Sequence, residues 1–424
     1  MKVTIPYGKE HVEFAVPEGM DVEIIRSEPA PVPAGVSQDD LVLKALANPI
    51  GSAKLSELAK GKKTATIICS DHTRPVPSKH ILPHMLKELR EGNPDIKITL
   101  LIATGCHRYT TKEELINKMG EEIVAKEHII VHDCADNASL KELGVLPSGA
   151  KLIINKAAVD TDLLVAEGFI EPHFFAGFSG GRKSILPGVC SRTTVLGNHC
   201  SKFIDSPQSR TGILEGNPIH KDMLAAAKMA KLQFIVNVLI DDKHNAIAAF
   251  AGDSGKAHEA GCKALAEHAV VHPKRKGDIV ITSNGGYPMD QNVYQSVKGL
   301  TAAEGAAAPG ATIITVAKCA DGNGGNDFYH HFADCTSVQA LFDKILTVPQ
   351  DETVPDQWQS QILARVMLAH KVVFVSDAGV KDQILKMKMG YADTLEQAFA
   401  AAIQEKGKNC KLTIIPDGVS VIVK

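Results

Sequence analysis

The stretch Thr64-Ala-Thr-Ile-Ile-Cys69, followed by Asp71-His-Thr-Arg-Pro75 and by a helical pattern over residues 80–91, decides the fold of this chain. Its first part is a continuous apolar and β-branched run, which is typical of a strand buried on both faces. Its last part has apolar residues three and four positions apart, which is typical of an amphipathic helix. A buried strand, a polar turn and a covering helix together form the repeating unit of a parallel α/β sheet.

The same unit recurs along the chain. Further helices are predicted over residues 112–126, where Thr110-Thr-Lys-Glu113 has the pattern of a capping box, and over residues 394–405. The predicted strands are residues 64–69, 96–103, 128–131, 234–240, 278–282, 311–316, 371–376 and 411–415. Apolar strands that alternate with helices predict an α/β fold with mostly parallel sheets flanked by helices.

Two domains are predicted, because 424 residues exceed the size of an ordinary single core. The segment 268–277, His-Ala-Val-Val-His-Pro-Lys-Arg-Lys-Gly, combines charge, proline and glycine just before a new strand, as domain boundaries often do. Residues 1–270 would form an N-terminal α/β domain and residues 271–424 a C-terminal α/β domain.

Composition and charge argue against several classes of partner. Charged residues make up 22% of the chain and the formal net charge is -3, so nothing predicts binding to nucleic acid or to an anionic membrane. No apolar run approaches the roughly 18 residues that span a bilayer, and the N-terminus lacks the apolar core of a signal peptide. The nine cysteines are scattered without a CxxC pair, which favours a reduced, cytoplasmic protein.

Two polar loops follow predicted strands, at the end of a sheet where ligands bind. The loop Asp71–Pro75 can hold a phosphate or carboxylate, because arginine grips such groups through two parallel hydrogen bonds. The same residues also fit a solvated turn in which Asp71 caps the next element. The second loop, Thr104-Gly-Cys-His107-Arg108, carries a histidine that is either catalytic or structural.

The segment Gly168–Gly188 is the richest in chemistry. Its glycines allow a ligand to approach the backbone closely, and Lys183 can act as a charge clamp or as a nucleophile that becomes covalently attached. His173 and His199 bracket this lysine in the sequence.

A phosphate-binding P-loop is the competing interpretation of this segment. Gly177-Phe-Ser-Gly-Gly-Arg-Lys-Ser184 nearly matches the pattern G-x-x-x-x-G-K-[ST], but Arg182 replaces the glycine that lets such a loop wrap around a phosphate. The preceding apolar strand, residues 162–166, is also too far upstream for a strand–loop–helix unit.

A predicted helix in the second half carries a polar face. Tyr294 and Lys298 share one side of such a helix and Gln295 lies beside them, so the face can offer an ammonium and an amide to a small carboxylate. An ordinary solvated helix face is the alternative. Trp358, the only tryptophan, is either a core anchor or a wall of a substrate pocket.

Taken in order, these motifs make the chain resemble the nickel-pincer lactate racemase family. The resemblance runs from about residue 65 to about residue 300 and rests on Asp71-His-Thr-Arg-Pro, Thr104-Gly-Cys-His-Arg, Glu171-Pro-His, Gly180-Gly-Arg-Lys-Ser, Gly197-Asn-His and Tyr287-Pro-Met-Asp-Gln-Asn-Val-Tyr-Gln-Ser-Val-Lys298. It implies an isomerase that inverts the α-carbon of a small 2-hydroxy acid in a cleft between two domains. It also implies a nickel pincer nucleotide, a pyridinium-3,5-bisthiocarboxylic acid mononucleotide with nickel, supplied by cofactor-producing enzymes.

The resemblance also implies roles for individual residues. It assigns the thioamide link to the cofactor to Lys183, the nickel ligand to His199, and acid/base catalysis to His107 and His173. The remaining assignments are nucleotide contacts at Asp71, His72, Thr73 and Arg74, and substrate contacts at Arg74, Tyr294, Gln295 and Lys298. Tyr294 and Trp358 resemble lactate-type members and favour lactate as the substrate.

The implied chemistry is reversible hydride transfer from the α-carbon to the pyridinium through a planar 2-keto acid. Two histidines would handle the hydroxyl proton, one for each enantiomer. The family also has members that act on longer, aromatic, acidic or sugar hydroxy acids. A non-catalytic cofactor carrier would need Lys183 and His199 but not both His107 and His173.

Overall fold

The computed structural model describes residues 1–28, 31 and 35–424. The described strands are β1 Lys2–Tyr7, β2 Glu10–Ala15, β3 Val22–Ile24, β4 Thr64–Ser70, β5 Lys97–Ala103, β6 His128–Val131, β7 Leu140–Val145, β8 Lys151–Asn155, β9 Leu163–Phe169, β10 Pro172–His173, β11 Gly177–Phe178, β12 Leu232–Ile240, β13 Ala246–Asp253, β14 Val270–Val271, β15 Gly277–Ser283, β16 Ala307–Val316, β17 Lys371–Val375, β18 Gly390–Ala392, β19 Leu412–Ile415 and β20 Ile422–Val423.

The described α-helices are α1 Gln38–Ala47, α2 Leu55–Ala59, α3 Ser78–Gly92, α4 Lys112–Met119, α5 Glu121–Lys126, α6 Lys156–Val159, α7 Arg192–Asn198, α8 Ser201–Asp205, α9 Pro218–Met229, α10 Lys256–Ala269, α11 Val293–Ala306, α12 Asn326–Ala333, α13 Val338–Leu346, α14 Gln357–Ala369, α15 Lys381–Lys386 and α16 Leu395–Lys406. Among the described residues, 1–28, 31 and 35–424, no helix combines the length and apolar character that a membrane span requires.

Two six-stranded sheets organise the chain. The first has the order β13-β12-β9-β4-β5-β6 and is parallel except for the antiparallel pair β12–β13. The second has the order β18-β17-β16-β15-β19-β3 and is parallel throughout. The predicted α/β fold with mostly parallel sheets is therefore confirmed.

Strand β4 explains why its sequence decides the fold. It lies in the middle of the first sheet, and its neighbouring residues Ile67 and Ile68 enter two different apolar cores on opposite faces. Successive side chains of a strand point to opposite faces, so a central strand with both faces covered must be apolar at every position. The core that includes Ile68 also includes Val280 and Ile313 of the second sheet, so the two halves share apolar packing.

The predicted helix over residues 112–126 is two helices, which corrects the prediction. Gly120 lies between them at φ 92°, a left-handed conformation that glycine adopts readily and that interrupts a helix. The capping box uses Thr111 and Glu114, one residue later than predicted. Thr110 is buried instead, and its hydroxyl lies 2.9 Å from Nδ1 of His72.

Strand β3 belongs to the second sheet, and the two-stranded β1–β2 hairpin packs against that sheet. Strand β3 pairs in parallel with β19, and Ile5 and Phe14 of the β1–β2 hairpin pack in one core with Ile281. Hydrophobic periodicity does not specify which sheet a short strand joins, so the sequence alone did not indicate this connection. The division at residue 270 stays a prediction.

Candidate active site

Strands β4 and β5 are neighbours, and the loops after them bring Asp71 and His107 together. Oδ2 of Asp71 lies 2.7 Å from Nδ1 of His107, and Oδ1 accepts a hydrogen bond of 2.7 Å from the hydroxyl of Thr73. Burial alone would raise the pKa of Asp71, but the hydrogen bonds from His107 and Thr73 and the charge of Arg74 outweigh it and lower the pKa to about 2. An ionised Asp71 accepts from Nδ1–H and leaves Nε2 of His107 available to a ligand.

His72 lies next to this pair, with its Nδ1 2.9 Å from the hydroxyl of Thr110 and 4.0 Å from Oδ2 of Asp71, and burial lowers its pKa. Arg74 is exposed, and its charge helps to lower the pKa values of His173, Lys183 and Lys298. The loop that was predicted to contact a nucleotide thus contributes one carboxylate that orients a histidine and one cation that faces the other predicted site residues.

The small hairpin β10–β11 holds His173 beside Lys183. Nδ1 of His173 accepts a hydrogen bond of 3.2 Å from the backbone N–H of Ala176, and Nε2 lies 3.1 Å from Nζ of Lys183. Burial lowers the pKa of Lys183 well below its usual range, with further lowering from the charges of Arg182 and Arg74. Burial and the neighbouring Lys183 lower the pKa of His173 in the same way.

Both pKa shifts favour the uncharged forms of the two side chains. Because Nδ1 of a neutral His173 is an acceptor, Nε2 carries the proton and can donate it to the lone pair of an uncharged Lys183. An uncharged lysine amine is the nucleophilic form.

Arg182 has a role that the sequence analysis missed. It is 1% exposed; its Nε donates to Nδ1 of His220 at 2.9 Å, and its Nη2 donates to the carbonyl of Ala176 at 2.8 Å. Its Nη1 donates to the carbonyl of Gly180 at 3.2 Å. Arg182, the residue that departs from the P-loop pattern, therefore binds two backbone carbonyls of the turn that leads to Lys183. A lone arginine in a glycine-rich apolar segment was the only signal of this role in the sequence.

The lysine itself lies in a short 3-10 helix, Gly181–Ser184. A P-loop would place its lysine at the start of a long helix that follows directly on a strand. The local structure does not have this arrangement.

His199 ends helix α7, and its surroundings hold one ring nitrogen free. Nδ1 lies 3.0 Å from the carbonyl of Val195 and donates to it, which leaves the lone pair on Nε2. Burial first, and the charge of Lys183 second, lower the pKa of His199 to about 3. The rings of Phe175 and Trp358 pack edge-on against it, each with centroids 5.1 Å away. A neutral imidazole oriented through its other nitrogen is the form that binds metals.

No group of three or more histidine, cysteine, aspartate or glutamate side chains among residues 1–28, 31 and 35–424 is arranged to hold a metal ion. Any metal at His199 would thus need donors from a bound group.

Helix α11 supplies the predicted substrate residues from the second half of the chain. Asn292 caps it by accepting from the N–H of Gln295 at 2.9 Å, and Oε1 of Gln295 is buried without a hydrogen-bond partner among the described residues. Burial and the charge of Arg74 lower the pKa of Lys298 to about 8. A buried acceptor and a cation with a lowered pKa on one helix face suit a small polar ligand.

Tyr294 is tied to neighbours rather than open to a ligand. Its ring packs against Phe328 with centroids 5.2 Å apart. Burial, with Asp356 next, raises its pKa. Trp358 packs against His199 and so forms a wall of the site.

A pocket lies where the two halves of the chain meet. Its lining residues are Glu171, Pro172, His173, Phe174, Thr211, Lys298, Thr301, Gly418 and Val419. His173 of the first half and Lys298 of the second thus line the same pocket.

Comparison with known proteins places this arrangement in a family. The model of the lactate racemase N-terminal domain matches residues 7–212, and that of the C-terminal domain matches residues 272–423. Lactate racemases from Thermoanaerobacterium thermosaccharolyticum and Lactiplantibacillus plantarum are 52% and 49% identical over 422 residues, which span 100% of this chain and 99% of each relative.

Solved structures agree. The lactate racemase apoprotein from Thermoanaerobacterium thermosaccharolyticum has a TM-score of 0.95 and 51% identity, with both chains covered completely. A protein from Thermotoga maritima shares the fold, with a TM-score of 0.67 at 19% identity, over 94% of this chain and 100% of its own. The fold and the matched relatives define an enzyme of the isomerase class, a racemase. The chain belongs to the lactate racemase family.

Proposed function

We propose that this chain racemises lactate in the cytoplasm with a nickel pincer nucleotide held on Lys183. The observation that carries the proposal is the pair formed by Lys183 and His173, whose Nζ and Nε2 atoms lie 3.1 Å apart with both pKa values lowered. Identities of 49–52% to lactate racemases over the whole chain support lactate as the substrate, as do Tyr294 and Trp358, which resemble residues of lactate-type members.

The residues present fit the proposed cofactor. Lys183 offers an amine whose lowered pKa favours the uncharged form that the thioamide link needs, and His199 offers a free Nε2 to nickel. Soft sulfur donors of the nucleotide together with one imidazole make a reasonable nickel site. When bound, the electron-poor pyridinium supplies a reversible acceptor for the α-carbon hydride. Attachment would remove the lone pair of Lys183, so Nε2 of His173 would become free for the substrate.

The chain's own residues would bind the acid and move its hydroxyl proton. Arg74, Gln295 and Lys298 would hold the carboxylate, with Lys298 mostly charged at neutral pH because its pKa is about 8. His107 would take the hydroxyl proton of one enantiomer through Nε2, and Asp71 would hold that ring in place. His173 would serve the other enantiomer.

The two halves of the chain would have different roles. Residues 1–270 would carry the cofactor loop and the acid/base histidines, and residues 271–424 the substrate contacts. The partners would be the enzymes that make the cofactor, with no nucleic acid or membrane involved. All nine cysteines are free thiols, which supports a reducing compartment.

Reconstitution with the nickel pincer nucleotide tests cofactor and metal assignments together. Intact mass and peptide mapping should find the adduct on the Lys183 peptide. His199→Ala should keep the adduct but lower the nickel content by metal analysis. An active enzyme with unmodified Lys183 would overturn the assignment.

Isotope transfer tests the mechanism and the substrate. Racemisation of α-deuterated lactate in ordinary water should keep deuterium at the α-carbon of the product, because a transferred hydride does not exchange with solvent. Histidine-bound protons exchange quickly, so complete washout at low conversion would reject hydride transfer. If the cofactor-loaded protein leaves lactate unchanged but converts another 2-hydroxy acid, that acid is the substrate. If it converts no 2-hydroxy acid, the protein is a non-catalytic cofactor carrier.

A further inference from the structure

Two glutamine side chains from the second half of the chain reach the backbone on either side of His199. Nε2 of Gln350, which lies ahead of α14, donates to the carbonyl of Gly197 at 2.9 Å. Nε2 of Gln361, on α14, donates to the carbonyl of Ser201 at 3.1 Å. The two carbonyls belong to the residues two positions before and two positions after His199. The proposed reaction uses neither glutamine.

The backbone around His199 depends on such outside contacts. His199 lies between α7, which ends at Asn198, and α8, which begins at Ser201. The last carbonyls of a helix have no partner within that helix, and Gln350 supplies a donor to the one at Gly197. Helix α8 has only five residues, whereas an isolated helix needs about 12–15 residues to form in water. The position of His199 is therefore set by the segments that pack against this junction.

Helix α14 also contacts the ring of His199 and the helix of the proposed substrate residues. Trp358 packs edge-on against His199, with ring centroids 5.1 Å apart. Nε2 of Gln359 donates to the carbonyl of Tyr294 at 2.5 Å, which ties α14 to the first turn of α11. Residues 350–361 thus connect the proposed nickel ligand of the first half to the proposed substrate residues of the second.

The burial of Gln361 indicates that its amide is kept for its donor. The residue is 1% exposed, and its Oε1 has no hydrogen-bond partner among the described residues. A buried acceptor without a partner costs free energy, so packing alone would favour an apolar side chain of similar size here. What the amide adds is the N–H that holds the carbonyl of Ser201.

We propose that Gln350 and Gln361 are positioning residues for the nickel ligand, through which the second half of the chain holds residues 197–201. The inference rests on the proposed function, in which His199 binds nickel. Neither glutamine would touch the metal, because each acts through the backbone that carries His199. Groups that orient a metal ligand contribute about 10–100-fold to metal affinity. Nickel retention would therefore depend on contact between the two halves of the chain.

Release of nickel from the cofactor-loaded enzyme tests the proposal. The enzyme is mixed with excess EDTA, the nickel left on the protein is followed by metal analysis, and intact mass follows the adduct on Lys183. Gln350→Met and Gln361→Met should each keep the adduct and release nickel about 10-fold faster than the unchanged chain. Gln397→Met is the matched control, because Gln397 is exposed on α16, and it should release nickel at the unchanged rate. Release at the unchanged rate from both test variants would overturn the proposal.

Two further measurements separate positioning from a loss of stability. Gln361→Met removes an unpartnered oxygen together with the donor, so its melting temperature should change little. Gln350→Lys keeps an N–H donor for the carbonyl of Gly197 and should hold nickel as the unchanged chain does. Fast release by Gln350→Lys would overturn the role of that hydrogen bond. Fast release confined to variants with a lowered melting temperature would leave both glutamines a structural role only.

His199→Ala separates this inference from the proposed function. If this variant releases nickel no faster than the unchanged chain, or if the unchanged chain takes up no cofactor, the proposed function fails. The positioning is then decided without cofactor, by NMR of ¹⁵N-labelled histidine rings. The Nδ1 proton that His199 donates to the carbonyl of Val195, identified by its absence in His199→Ala, should exchange faster with solvent when Gln350→Met and Gln361→Met are combined. An unchanged exchange rate would overturn the positioning.

Discussion

The two histidines proposed to move the substrate proton, His107 and His173, lie in opposite electrostatic surroundings. Nδ1 of His107 lies 2.7 Å from the buried carboxylate of Asp71. When Nε2 takes up a proton, the positive charge of the ring is therefore next to this anion. Nε2 of His173 contacts the amine of Lys183 at 3.1 Å, among cations that lower its pKa. The proposed reaction interconverts two mirror-image substrates, but the two proposed bases are not equivalent. His107 is paired with a carboxylate, whereas His173 is not.

Replacing the lysine removes the neighbour that sets His173 apart. Lys183→Ala should abolish cofactor attachment and reduce racemisation to background, because both the amine and the anchored hydride acceptor are lost. Intact mass and a polarimetric assay measure the two effects. Lys202→Ala, an exposed lysine on α8, is the control and should leave both unchanged. Full racemisation by Lys183→Ala would show that the cofactor needs no covalent link.

Replacing each histidine separately sharpens the comparison. His107→Asn and His173→Asn should each keep the cofactor adduct and lose on the order of 10²–10⁴ in turnover, as removal of a general acid or base does. His244→Asn is a suitable control, because His244 is exposed at φ 64° and asparagine tolerates that conformation. Wild-type turnover by either active-site variant would remove that histidine from the mechanism.

The pH dependence of substrate binding tests the cationic side of the site. The pKa of Lys298 is lowered to about 8, so the ammonium is present below that pH and is lost as pH rises through it. KM for lactate should therefore rise above about pH 8, by up to roughly 10–150-fold for a charge-assisted hydrogen bond of about 1.5–3 kcal/mol. Lys298→Met should have the raised KM at every pH. A KM that rises equally in this variant would assign the titration to another group.

The smallest expected effect concerns stability at the anionic side. The pKa of Asp71 is lowered to about 2 in the folded chain, so its contribution to stability is present above the unfolded value near 3.9 and is lost as pH falls towards 2. The free energy of unfolding of Asp71→Asn should lie on the order of 2 kcal/mol below that of the unchanged chain at pH 7. Urea titrations at pH 7 and pH 3 should show that the difference in the free energy of unfolding between the two proteins is smaller at pH 3. A gap that does not depend on pH would mean that packing, not charge, holds Asp71.

The parts of the fold that local pattern controls could be predicted from the sequence. The runs 64–69 and 96–103 are strands Thr64–Ser70 and Lys97–Ala103, because apolar β-branched residues between polar turns specify buried strands. Their parallel pairing then places the loops of Asp71 and His107 side by side. The roles assigned to individual site residues stay predictions.

What the sequence did not indicate depends on contacts between distant segments. In the sequence, Arg182 appeared only as a departure from the pattern of a phosphate-binding loop. Its role could not be predicted, because its partners, His220 and the carbonyl of Ala176, come next to it only in the folded chain. The interruption of the helix at Gly120 could not be predicted either, because one glycine within an apolar pattern is compatible with a continuous helix.

The pairing of β3 with β19 has a consequence for how the chain is made. Val22 lies opposite Leu412 in the second sheet, so the first strand of that sheet to leave the ribosome pairs with one of the last. At about 5–20 residues per second, the intervening roughly 390 residues take about 20–80 s to synthesise. Throughout that time the edge strand β3 has no partner strand. Such long-range pairing slows folding, and a nascent chain of this protein should depend on chaperones that hold its first strands until its last have been translated.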